Sequence, residues 1–271
     1  MTLGPAELDE VLAEARAVAD DAAALLLAGL GRVCCIAHKG EVDLVTEYDR
    51  RAEELIVERL LGRFPGWAVQ AEESGAHGAP DAEATWIVDP LDGTTNFAHG
   101  HPVFAVSLGL SHRGELVAGV VTAPALGFSV WARQGGGAFS NGAPARVSST
   151  DRLEAALVAT GFPYDRRTAR DDNTREYVAF VKRALGLRRC GAAAVDLALV
   201  ARGVYDGYFE PRLHPWDVAA GAVIVAEAGG TVTDYENAPM DPALGWIAAS
   251  NGLIHAQMLS LIREARSSLP L

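Results

Sequence analysis

The sequence predicts a layered α/β fold. Three observations carry that reading. The N-terminal part reads as two amphipathic helices. The middle reads as short apolar strands separated by turn residues. After about Asp151, helices alternate with strands. With 271 residues, 49% of them hydrophobic, the chain can fill one large unit or two closely packed ones. The change of pattern near Asp151 divides it approximately into subdomains 1–150 and 151–271.

The formal net charge of −12 and a pI near 5.0 oppose nonspecific binding to nucleic acid or anionic membranes, so neither is expected as a partner. The three cysteines, Cys34, Cys35 and Cys190, are odd in number and two are adjacent. They imply no disulfide framework and fit a reducing cytoplasm. No Cys/His spacing of a zinc site occurs. Glu7, Asp9 and Glu10 oppose a secretory signal. The apolar run Ala22 to Leu30 is bounded by Asp20, Asp21 and Arg32. It falls short of the roughly 20 residues that span a bilayer.

From Pro5 to about Leu30, Val11, Leu12, Ala15, Val18, Ala22, Leu25 and Leu26 recur near one helical face. Val33 to Ala37 reads as a short strand and Lys39 to Asp43 as a polar loop. Thr46 with Asp49 three residues on reads as a capping box, opening a helix that stops before Pro65. Trp67 to Ala71 is a strand ending in Glu72-Glu73-Ser74-Gly75, and Ala76 to Ala84 reads as a surface loop. Trp86, Ile87 and Val88 end a buried strand. Val103–Leu110, Leu116–Thr122, Phe128–Ala132 and Ala138-Phe139 then form an antiparallel meander. Gly135-Gly136-Gly137 is a hairpin turn, since no Lys-Ser/Thr and no helix follow it as a P-loop requires. Ala155–Thr160 is a strand, Asp171–Leu185 a helix, and Arg166 to Asp172 a charged loop between them. Cys190-Gly191-Ala192-Ala193-Ala194 opens a helix to Ala201, with Asp196 read as structural. Val204–Phe209 is a strand ending at Glu210. Trp216–Ala228, Trp246–Ala249 and Leu253–Ala265 are helix, strand and helix.

Chemistry concentrates between Trp86 and Gly100. Asp89 and Asp92 stand three residues apart around Pro90, and Gly93, Thr94 and Thr95 follow as a turn opening into a helix. Carboxylates there attract a hard divalent cation, and free N–H groups at a helix start attract phosphate. Together they suit a metal-bound phosphate ester. The plain alternative is a turn with a cap.

The full string Trp86-Ile-Val-Asp-Pro-Leu-Asp-Gly-Thr-Thr-Asn-Phe, with Trp216-Asp217-Val218-Ala219-Ala220-Gly221, resembles the paired signatures of the inositol monophosphatase family. The likeness runs from about Ala37 to Ser250. This resemblance implies alternating α-β-α-β-α layers and a lithium-sensitive phosphatase using two or three Mg²⁺ ions. It implies one ion on Glu72, Asp89 and the carbonyl of Leu91. A second rests on Asp89, Asp92 and Asp217, and a weaker third shares Glu72. Glu73 is the alternate to Glu72. Asp49, Glu72 and Thr94 are implied around the attacking water, although Asp49 reads equally as a cap. Substrate contacts are implied for Asp92, Gly93, Thr94, Gly191, Ala193, Glu210 and Asp217. The implied substrate is a small phosphorylated polyol, first of all myo-inositol monophosphate. Fructose 1,6-bisphosphate, histidinol phosphate and a 3′-phosphoadenosine nucleotide are the alternatives, and a non-enzymatic binding protein is a further one. A homodimer is implied as well. Lys39 lies near a family lysine but in a shorter loop, and takes no role. His99, His101 and His214 flank the signatures as structural or rim residues.

Overall fold

The computed structural model describes residues 3–33, 36–38 and 44–267, with backbone alone for 36–38. Cys34, Cys35, Lys39 and the polar loop to Asp43 lie outside the described residues. Helix α1 (Pro5–Gly29) starts on Pro5 and buries Leu8, Val11, Ala15, Val18, Ala22 and Leu26 along one stripe. β1 (Ile36–His38) pairs with β2 (Leu44–Thr46). Thr46 then caps α2 (Glu47–Arg63) in the expected box.

The first large sheet is built from β3 (Ala68–Ala71), β4 (Gly75–Gly78) and β5 (Ala84–Asp92), then, beyond the short helix α3 (Thr94–Ala98), from β6 (Ala105–His112), β7 (Glu115–Ala123), β8 (Phe128–Arg133), β9 (Gly137–Ser140) and β10 (Ala143–Ala145). Its eight strands lie in the order β10-β9-β8-β7-β6-β5-β3-β4, and β5 through β10 form the antiparallel meander. The glycine triplet closes the β8–β9 hairpin, where the N–H groups of Gly135 and Gly137 donate to the Glu227 carboxylate at 2.7 and 2.8 Å.

Next come β11 (Leu157–Thr160), α4 (Thr174–Arg183), β12 (Gly186–Arg188), α5 (Ala193–Ala201), β13 (Gly207–Glu210), α6 (Pro215–Glu227), β14 (Thr231–Thr233), β15 (Ile247–Ser250) and α7 (His255–Ser267). Their five strands form a mixed sheet in the order β12-β11-β13-β15-β14.

Alternation along the strands sorts the core into layers. Val120, Trp86 and Leu108 face α1 and α2, while Val121, Val130 and Ala132 face α5 and α6. Ala159, Tyr208 and Ala249 of the second sheet join the α5/α6 side. Val158, Phe209 and Ala248 face α4 and α7. The order is therefore α-β-α-β-α, as the resemblance implied.

Two expectations are corrected. Residues 76–84 are not all loop, because Gly75–Gly78 pair with β3. Alanine and glycine give that strand no apolar alternation to read, and backbone hydrogen bonds carry it. The strand holding Trp86 does not end at Val88 but runs to Asp92 through Pro90. A register shift between Asp89 and Asp92 absorbs the proline, which has no N–H to give the ladder. The short strands β2, β12 and β14 were not legible either.

The seat of α6 decides where the site forms. A Cβ on Gly109 of β6 would stand 2.7 Å from Ala219 Cβ, and one on Gly119 of β7 would collide with the Ala220 backbone. Two side-chain-free positions thus let α6 lie directly on the first sheet.

Candidate active site

Asp89 and Asp92 come from the irregular end of β5, and Asp217 from the first turn of α6. Their carboxylates offer oxygens within 4.8 Å of one another, and all three side chains are buried. Each is held by backbone. Asp89 Oδ1 accepts from Leu91 N at 2.9 Å, Asp92 Oδ2 from Ala194 N at 2.8 Å, and Asp217 Oδ2 from His214 N at 2.6 Å. Ser107 Oγ donates to Trp216 O at 3.2 Å, fastening β6 to the start of α6.

Burial first, then the charges of Glu72, Asp92 and Asp217, pushes the Asp89 carboxyl far above the usual range. Asp217 is raised likewise by burial, then by Asp92 and Glu72. Burial pushes Asp92 up to about 7, although the N–H groups of Ala194, Val195 and Ala193 oppose it. Three anions in one buried space are stable only with compensating positive charge. All-oxygen donors suit a hard cation, so the residues fit a Mg²⁺-type ion.

Glu72 stands beside this triad. It hydrogen-bonds to Asp89, and its charge acts on Asp49, Asp92 and Asp217 as well. Glu73 lines a different cleft, with Glu53 and His77, and its backbone N–H donates to Glu53 Oε2 at 2.8 Å. The structure therefore separates the two neighbouring glutamates, which the sequence alone left open. Asp49 is fully buried. Its Oδ2 accepts from Thr46 N at 2.7 Å and Thr46 Oγ1 at 2.6 Å, and its Oδ1 from Thr94 Oγ1 at 2.8 Å. Asp49 is thus both a cap and a neighbour of the cluster. Thr94 Oγ1 also lies 3.1 Å from Leu91 O, the carbonyl expected to serve the ion.

A cavity of about 340 Å³ opens beside the triad and is lined by two of its members, Asp92 and Asp217. Asp92, Gly93, Thr94 and Asp217 line its floor side, and Gly191, Ala193 and Glu210 line its wall. Every expected substrate contact therefore reaches one space. At the start of α5 the N–H groups of Ala193, Ala194 and Val195 are directed at Asp92.

Sequence reasoning missed Tyr208, whose hydroxyl donates to Glu210 Oε2 at 2.6 Å. Burial pushes Glu210 up to about 7 against that bond and the charge of Arg189. It missed Asn96 too, whose Nδ2 donates to Val103 O at 2.7 Å and Cys190 O at 2.9 Å and so ties α3 to the wall loop. Arg166 and Arg189 also line the cavity. Arg166 belongs to the charged loop, whose basic residues read from the sequence either as solvated or as facing an anionic substrate. Among the described residues no histidine joins the acid triad. His214 stacks on Trp216 at 4.9 Å and precedes α6.

Comparison with known proteins supports the same reading. A profile of the inositol monophosphatase family matches residues 7–267. The chain belongs to that family. It is 46% identical over 229 residues to the inositol-1-monophosphatase of Synechocystis, covering 84% of this chain and 80% of that one. It is 39% identical over 242 residues to the fructose-1,6-bisphosphatase/inositol-1-monophosphatase of Thermotoga maritima, covering 89% and 91%. The solved structure of inositol monophosphatase from Anabaena superposes with a TM-score of 0.89 at 39% identity, over 97% of this chain and 98% of that one. The buried triad draws its members from the two strings that resemble the family's signatures, and its chemistry suits a metal site. Residues of both strings line the cavity.

Proposed function

We propose that this chain hydrolyses a phosphate monoester with Mg²⁺, and that myo-inositol monophosphate is its substrate. The carrying observation is that the buried Asp89–Asp92–Asp217 triad opens into a cavity walled by Glu210. Asp89, Asp92 and Asp217 would hold one ion, and Glu72, Asp89 and the Leu91 carbonyl another, with a weaker third sharing Glu72. When bound, such ions supply Lewis-acid charge that acidifies water and stabilises the leaving oxygen.

The remaining work falls to side chains. Thr94, donating to Asp49 Oδ1, orients the attacking water, with Glu72 on the same side, and Asp49 receives its proton. Water oxygen forms the new bond to phosphorus. The ester P–O bond breaks with its electrons on the polyol oxygen, which takes a proton from solvent water as it leaves. Gly93 and Thr94 hold the phosphate with main-chain N–H groups. Gly191 and Ala193 pack against the polyol ring, while Glu210, positioned by Tyr208, accepts from a ring hydroxyl.

A second reading has its own observation. Arg166 and Arg189 line the cavity, and the positive charge of both acts on Glu210 inside it. A sugar bisphosphate would use them, in line with the double name of the Thermotoga relative. Phosphate release measured across inositol 1-phosphate, fructose 1,6-bisphosphate, histidinol phosphate and 3′-phosphoadenosine 5′-phosphate, with Mg²⁺ and with excess chelator, tests both readings. Full turnover in chelator would sink the metal assignment. Turnover of nothing would leave a binding protein. Lithium inhibition belongs to this reading, as does a two-fold homodimer, which a monomer by light scattering at micromolar concentration would contradict. Cytoplasmic action is supported by the free thiol of Cys190. Among the described residues, no helix is long and apolar enough to cross a membrane.

A further inference from the structure

Residues 161–173 connect β11 to α4 and form one wall of the cavity. Gly161, Phe162, Tyr164 and Arg166 all line it. The ends of this segment are drawn together by Asn173, whose Nδ2 donates to Thr160 Oγ1 at 2.9 Å and to Gly161 O at 2.7 Å. Between them the backbone hydrogen bonds make only short turns, Arg166 N donating to Pro163 O, and Thr168 N and Ala169 N to Asp165 O. Ordering such a loop costs conformational entropy that its own bonds do not offset, so anchors outside it set its position.

Two arginines supply anchors. Arg212, two residues beyond Glu210, pairs with Asp165 at the cavity end. Arg266 of α7 holds the other end and does not line the cavity. Its Nη1 and Nη2 grip Asp171 Oδ1 and Oδ2 at 3.0 and 2.9 Å, and Nη1 reaches Glu176 Oε1 at 2.9 Å. Its guanidinium also lies 4.7 Å from the Trp246 ring centroid. A single exposed ion pair fixes little. This one is bidentate, stacked on a ring and shared with Glu176, whose side chain is 3% exposed, which is the geometry that does hold.

We propose that Arg266 is a positioning residue for substrate binding. By gripping Asp171 it fixes the loop that carries Tyr164 and Arg166 against the cavity. The inference rests on the cavity being the substrate site. The competing role is a fastener between α7 and α4 through Glu176, which would affect stability alone.

The test uses the full chain with Mg²⁺ and compares Arg266→Met, which keeps an apolar stem on Trp246, with Arg266→Lys, Asp171→Asn and Glu176→Gln. Arg266→Met and Asp171→Asn should raise KM for inositol 1-phosphate by about three- to tenfold, the range of roughly one ion-pair anchor. kcat should stay within about twofold, and glycerol 2-phosphate, too small to reach the loop, should be turned over as before. Arg266→Lys should fall between, because an ammonium cannot make the bidentate grip. Combining Arg266→Met with Asp171→Asn should add little, since both break one contact. Amide hydrogen exchange across residues 163–172 should quicken in the first two variants and not in Glu176→Gln. A lowered Tm with unchanged KM and unchanged exchange in the loop would overturn the proposal. If the wild type turns over no phosphate ester, the substrate reading fails by itself. The exchange measurement then still decides whether Arg266 positions the loop.

Discussion

Asp49 Oδ1 and Thr94 Oγ1 lie 2.8 Å apart, in a hydrogen bond that joins the first turn of α2 to the first residue of α3. It brings a cap residue to the edge of the proposed reaction centre. Thr94→Val should lower kcat by about 10²–10³-fold while Thr94→Ser keeps most of it, because the hydroxyl and not the methyl carries the bond. Asp49→Asn should lower kcat by about 10²–10⁴-fold and cost about 1 kcal/mol of stability through the weakened cap. Mg²⁺ affinity, followed by calorimetry, should change little in either, since neither residue belongs to the triad.

Asp89→Asn should act in the opposite sense on stability and activity. Removing one of the crowded charges should raise the Tm of the metal-free protein. Turnover at ordinary Mg²⁺ should fall by more than the roughly 10²–10³-fold that follows loss of one electrostatic donor. The triad also dictates a pH dependence. Its folded-state pKa values are raised, so the metal-free folded chain binds more protons than the unfolded chain. The triad's contribution to stability is therefore full below the ordinary aspartate range and is lost as pH rises through the raised values, about 7 for Asp92. Thermal unfolding in chelator should show Tm falling from pH 5 to pH 8, less steeply in Asp89→Asn, and saturating Mg²⁺ should abolish the fall. A slope unaffected by Mg²⁺ would contradict this assignment.

Glu210 should govern polyol recognition rather than chemistry. Its carboxyl titrates near 7, so below that pH it is protonated and accepts poorly from a substrate hydroxyl. KM for inositol 1-phosphate should fall as pH rises through 7. Glu210→Gln should remove that inflection and raise KM by about tenfold, the worth of one hydrogen bond to a charged group. Glycerol 2-phosphate should show neither effect. Equal losses on both substrates would return Glu210 to the general machinery or the fold.

The glycine seat under α6 should be as sensitive as the ligands. In Gly119→Ala the new methyl meets the Ala220 backbone, which cannot swing aside as a side chain end would. Overpacking of this kind costs about 1–3 kcal/mol. Because the displaced helix carries Asp217, Mg²⁺ affinity should also fall, and a titration against wild type would show it. Lost stability with unaltered affinity would mean that α6 pivots about Asp217 instead of lifting.

Much of this was legible where the relevant residues are close in sequence. The box of Thr46 and Asp49 and the helices with 3.6-residue apolar repeats declare themselves locally, as do the strands of the meander. The signature from Trp86 pointed to Asp89 and Asp92 together. What stayed hidden depends on contacts between distant segments. Nothing near Ala194 announces that its N–H serves Asp92, and nothing near Arg266 announces Asp171. Tyr208 reads only as a buried strand residue until its hydroxyl is seen on Glu210. Gly109 and Gly119 did leave a signal. Glycine inside an apolar strand run marks close approach of another backbone. β4 and β12 left none, since short strands of glycine and polar residues lack a two-residue period.

The placement of Asp217 on α6 has a consequence for how the protein comes into being. Asp89 and Asp92 are synthesised early, yet their third partner arrives far later, on a helix that must first settle onto the glycines of a sheet already made. Until then the nascent chain offers Glu72, Asp89 and Asp92 without the third member of the triad. Completion of the buried triad therefore falls at the end of maturation, after both halves are joined. An interrupted or clipped chain ending before α6 lacks the triad's third carboxylate, and a closed triad becomes a mark of a finished molecule.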